Sequence, residues 1–140
     1  MQPEQIKHLE LIQAVVSRMA ANSFLLKGWS VTLSAALISL AAGKDANRKF
    51  VILAVFAPVL FWGLDAYYLH QERLFRALYD RIRMMANADW QAHGRFDMST
   101  QALQNAVASW CEMIREPVVY GVHLLVIVIV AAILVFEVLP

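Results

Sequence analysis

The sequence predicts an all-α integral membrane protein: three transmembrane helices with cytosolic helical extensions, assembled as an oligomer. Three observations carry that prediction. Hydrophobic residues make up 60% of the 140 positions and charged ones 16%, against about half and about a quarter in soluble domains, and the mean hydropathy is +0.54. Three runs are long and apolar enough to cross a hydrocarbon core of about 30 Å: 23–42, 50–68 and 118–139. One of them, Phe24–Ala42, carries small and hydroxyl side chains in place of a lipid-facing surface all round, the composition of a helix that packs on protein.

The chain reads as a single membrane domain over 1–140. Residues 4–22 form an amphipathic helix. Ile6, Leu9, Ile12, Val16 and Met19 recur every three or four positions, and Glu4, Lys7, Glu10, Gln13 and Ser17 lie between them. Pro3 suits a first helical turn. No breaker separates Gln5 from Ala42, so this helix is expected to run on into the first span.

Within that span, at about 100° per residue, Ser23, Lys27, Ser30 and Ser34 fall on one face. Gly28, Thr32, Ala35, Ala36 and Ser39 gather on another, the expected oligomer-packing face. Gly43–Lys49 is a polar turn. The second span, 50–68, holds Pro58, tolerated where neighbours satisfy the freed backbone. Asp65 lies near its end.

Residues 69–116 form a cytosolic helical region, a surface for a cytosolic protein partner. Its first part continues the second span to about Asn87, with an apolar stripe of Leu74, Leu78, Ile82 and Met85. Gly94 breaks the chain. Ser99 or Thr100 is expected to cap a helix to about Arg115, burying Leu103, Val107, Trp110 and Ile114. Pro117 opens the third span at its first turn.

Orientation follows from the basic residues. The segment ending at Lys27 and the 69–116 region together hold nine, and the first loop holds three. The positive-inside rule therefore puts the N-terminus in the cytoplasm and the first loop and C-terminus outside. A net charge of +1 with no basic patch argues against nucleic-acid binding. One cysteine, Cys111, allows no intrachain disulfide. No residue pattern supports catalysis, a metal or a cofactor.

Lys27 and Asp65 each lie about one turn inside the same end of antiparallel spans, hence at equal depth. Either both reach the headgroups, or they pair and close an assembly. Ser30 and Ser34 continue the Lys27 face outward. That face is either packed between helices or the wetted wall of a pore with Lys27 and Asp65 as its gate. His123, about one and a half turns into the third span, is expected to be hydrogen-bonded to a neighbour.

The run Arg18-Met-Ala-Ala-Asn22-Ser-Phe24 leads into the small-residue span with Thr32. A short turn, a second span and the charged aromatic run Tyr67-Tyr-Leu-His-Gln-Glu-Arg-Leu-Phe-Arg-Ala-Leu-Tyr79 follow. Over residues 5–85 this order resembles the SLATT-like bacterial membrane effectors, with 118–139 as a span beyond their plan. The resemblance implies a homo-oligomeric pore-forming or membrane-perturbing effector in the bacterial inner membrane. It would serve antiphage defence and be switched on by a partner or a nucleotide signal. The alternative is a non-conducting membrane scaffold that docks a cytosolic protein.

Overall fold

The computed structural model describes residues 2–41 and 48–138, and all regular structure among them is helical. Helix α1, Pro3–Ala41, is one unbroken rod of 39 residues, as the absence of breakers predicts. Helix α2, Arg48–Met84, runs 37 residues back along it. Of the turn expected at 43–49, residues 43–47 lie outside the described residues, and Arg48 and Lys49 already belong to α2. Both α1 and α2 are long and apolar enough to cross a membrane. Helix α5, Pro117–Val138, begins at the expected proline, which gives up only an amide that a first turn leaves free anyway.

Between α2 and α5 the chain is less regular than the sequence implies. Helix α3, Asn87–Asp89, widens into a π-helical turn over Trp90–Gly94. The single helix expected from Ser99 to Arg115 is instead a 3₁₀ helix, Gln101–Ala106, and a short α4, Trp110–Met113. Ser109 breaks the run. Its N–H donates to the Glu112 carboxylate at 2.6 Å, a Ser-x-x-Glu capping box that starts a new helix. Of the expected buried face, Leu103, Val107 and Ile114 are half-buried against the apolar clusters. Met113 is fully buried, whereas Trp110 is 43% exposed and donates its indole N–H to the Gly63 carbonyl at 3.1 Å.

Among the described residues the interior has three apolar clusters. Leu9, Ile12 and Val16 of α1 meet Leu78 and Ile82 of α2 and Trp90. Ala66, Met113 and Val119 pack where α5 begins. Ala54, Val126 and Val130 pack at the far end. Helix α5 turns inward the stripe Val119, His123, Val126 and Val130, spaced four, three and four apart. Its neighbours on α2 include Ala54 and Ala66, both fully buried and small enough to let the helices close up.

Outside, the long helices are apolar: Phe24 is 78% exposed, Trp29 60%, Ile52 68% and Val118 68%. The arrangement is polar within and apolar without over this half of the molecule.

Candidate functional site

Midway along the bundle, Ser23, Lys27, Ser30, Asp65 and His123 form one connected polar network. Asp65, fully buried, accepts from Lys27 Nζ at 2.5 Å on Oδ2 and from Ser23 Oγ at 2.5 Å on Oδ1. Lys27 also donates to Ser23 Oγ at 3.0 Å. His123 Nε2 stands 3.3 Å from Asp65 Oδ2, and its Nδ1 stands 3.1 Å from Ser30 Oγ. A neutral imidazole satisfies both contacts when Nε2 donates to the carboxylate and Nδ1 accepts from the Ser30 hydroxyl. Lys27 and Asp65 then cancel, and the buried cluster has no net charge.

Each helix delivers its residues by simple spacing. Ser23, Lys27, Ser30 and Ser34 stand four, three and four apart on α1, which is why they share a line. One turn further on, Ser34 Oγ lies 3.4 Å from the Ala54 carbonyl. The network thus joins α1, α2 and α5 across a section that is otherwise apolar.

Lys27 and Asp65, expected at one depth, meet as an ion pair in which the lysine is 16% and the aspartate 0% exposed. Ser30 and Ser34 do not stand where a wetted wall between copies would need them. They face the interior of their own chain, 0% and 2% exposed, Ser30 against His123 of α5 and Ser34 against the Ala54 carbonyl of α2. The small face is the reverse. Gly28, Thr32, Ala35, Ala36 and Ser39 are all exposed, and a Cβ added at Gly28 would meet nothing within 4 Å.

His123 is the member that sequence reading left out of the cluster. Its depth was the usable signal, since about one and a half turns from Pro117 matches the depth of Lys27. A Ser–His–Asp chain can also activate its serine as a nucleophile, the histidine taking the hydroxyl proton. Here Ser30 is fully buried, with no approach for a substrate. What the cluster can do is clamp three helices at one level and hold a proton there.

A second buried polar group ties the other end together. Gln5 Nε2 donates to the Ile82 and Met85 carbonyls at 3.0 and 3.3 Å, closing the C-terminus of α2. His8, fully buried, accepts the Trp90 indole N–H on Nδ1 at 3.2 Å, and its Nε2 lies 3.1 Å from the Asp97 carbonyl. Phe96, at a φ of 54°, turns the chain so that its ring lies 5.5 Å from His8 and 6.0 Å from Trp90. Burial holds the His8 pKa below its ordinary value, against the upward pull of the Asp97 carbonyl and charge.

Comparison with protein-family models, with curated proteins and with solved structures finds no match for this chain.

Proposed function

We propose that this chain is a non-conducting, multi-pass scaffold of the bacterial inner membrane, with α1, α2 and α5 as its spans. It displays the 69–116 region to a cytosolic protein partner and assembles with copies of itself through the small face of α1. The observation that carries this reading is that the hydroxyl and charged face of α1 is consumed within one chain. Ser23, Ser30 and Lys27 bond to Asp65 and His123, and lipid-compatible side chains are left outside. A bundle so arranged offers water no continuous polar path.

One feature favours a second reading, a membrane-perturbing effector with a closed resting state. A buried charge pair with a histidine beside it is a costly way to hold helices that apolar packing would hold as well. Parting of α5 from α1 would expose Ser30 and take His123 from the Lys27–Asp65 pair, and a shift of α2 as well would free Ser34. The resemblance to the SLATT-like effectors gives that reading its setting: antiphage defence, triggered by a partner or a nucleotide signal.

Cysteines at Ser30 and Ser34, in a chain whose exposed Cys111 has been replaced, separate the two. The scaffold reading expects no reaction with a water-soluble thiol reagent in any condition and no ion leakage. Labelling that accompanies leakage would transfer the conclusion to the effector.

A further inference from the structure

On the side of α1 away from α5, a polar cavity and an apolar groove lie end to end. The cavity, ≈ 440 Å³, is lined by Arg18, Met19 and Asn22 of α1 and by Tyr67, Tyr68 and Gln71 of α2. The groove, ≈ 490 Å³, is lined only by apolar residues of the same two helices, among them Leu33 and Leu37 facing Leu53, Leu60 and Leu64. At about 100° per residue, Asn22, Leu33 and Leu37 share one face of α1, and Leu53, Leu60, Leu64, Tyr68 and Gln71 share one face of α2. The groove therefore continues the cavity along one seam.

The cavity is chemically lopsided. Arg18 takes no part in any ion pair among the described residues. It stands with an amide on each helix and two phenols, whose rings are packed edge to face at 5.6 Å. A cation with convergent hydroxyl and amide donors is a phosphate-binding chemistry. It lies just before the exposed apolar residues Phe24 and Leu25 of α1, where tyrosines suit a membrane–water interface.

We infer that this seam binds one anionic phospholipid of the cytoplasmic leaflet, its phosphate against Arg18 and the Tyr67–Tyr68 pair and an acyl chain in the Leu33–Leu60 groove. The inference rests on the chain being a membrane protein. Polar head and apolar tail are matched in order and on one side, which neither a soluble phosphate nor a bare hydrocarbon requires. Bound there, the lipid bridges α1 and α2, its phosphate between the level of Tyr68, about one turn from Asp65, and that of Arg18, about two and a half turns from Lys27.

The test uses the full chain purified in an uncharged detergent, with bound lipid read by native mass spectrometry. Dioleoylphosphatidylglycerol should be retained, and dioleoylglycerol and inorganic phosphate should not. Arg18→Gln should weaken retention about tenfold or more, the loss of a charge-assisted contact. Leu60→Trp, a change at an exposed groove position, should weaken it through the tail without touching the charge. Equal retention of phosphatidylglycerol by parent and both variants overturns the site. So does equal retention of dioleoylglycerol, and Arg18-dependent binding of inorganic phosphate without the lipid would assign the cavity to a soluble ligand instead. Carbonate extraction of the parent from cells keeps the two failures apart. A chain that is extracted sinks the membrane reading and this one with it, whereas a chain that stays in the membrane but retains no lipid sinks only the lipid site.

Discussion

The Ser34 hydroxyl points at the Ala54 carbonyl, 3.4 Å away, the acceptor that Pro58 leaves without its helical donor. A residue four positions on normally gives that carbonyl its N–H, and proline has none. Helix α1 thus repairs a gap in α2. Ser34→Ala should cost about 1–2 kcal/mol by stranding the carbonyl. In a Pro58→Ala background, where the amide returns, the same change should cost little. Thermal unfolding of the four proteins in one detergent gives the cycle. Equal costs of Ser34→Ala in both backgrounds would show that the hydroxyl serves something else.

The Lys27–Asp65 pair should behave as a unit. Lys27→Met or Asp65→Asn alone leaves a buried partner uncompensated, and should destabilise the folded chain by about 3–5 kcal/mol. The double variant should be less damaged than the sum of the two, and exchanging the charges should recover part of the loss. Additive losses in a detergent melt, with no recovery by the exchange, would mean that the two groups act independently.

The cap around His8 should loosen on acidification. Its folded pKa lies below the ordinary 6.5 because burial disfavours the charged ring. Above 6.5 both folded and unfolded chains keep the ring neutral, and the cap has its full stability. As the pH falls below that value the unfolded chain takes the proton first, so stability is lost until the folded ring is protonated too. Protonation at Nδ1 also ends its role as acceptor for Trp90. Protection factors over residues 5–16, taken from hydrogen exchange corrected for its own pH dependence, should fall across that window in the parent. In His8→Gln that dependence should be flattened, and an unchanged profile would remove His8 as its source.

Gly28 offers a clean probe of self-association. Within one chain a Cβ there meets nothing within 4 Å, so Gly28→Leu should not destabilise the protomer's own fold and should raise its helix propensity. If the small face packs against another copy, the added bulk should still break the oligomer in detergent. An identical elution profile for parent and variant would put the contact elsewhere.

Topology is open to a direct reading. Nine basic residues on one side against three on the other lead us to expect a reporter fused after Pro140 to lie outside the cytoplasm. A cytoplasmic reporter would mean that α5 does not cross.

What the sequence made legible was periodicity and depth. The lack of a breaker before Ala42 anticipated the full length of α1, Pro117 anticipated the start of α5, and equal depth anticipated the meeting of Lys27 with Asp65. Rotation about a helix axis relative to another chain or helix was not legible. The Ser30–Ser34 face could be assigned to water or to protein only once α5 and α2 were known to lie on it, and α5 brought His123 into the cluster. The break at Ser109 was written in the sequence as Ser-x-x-Glu, but a more regular apolar spacing from Leu103 to Ile114 masked it.

Helix α1 passes without a hinge from Gln5, which closes the end of α2, to Ser34, which mends its middle. A rod of that kind is a torsion shaft. A partner that grips the His8 end and twists it by some angle delivers much the same angle to Lys27 and Ser30, about 30 Å away, with little lost in between. The hydrogen bonds there are directional, and a modest rotation would unmake them together. The molecule is therefore geared: what happens to the His8 end is felt at the buried charges as a turn, not as a push.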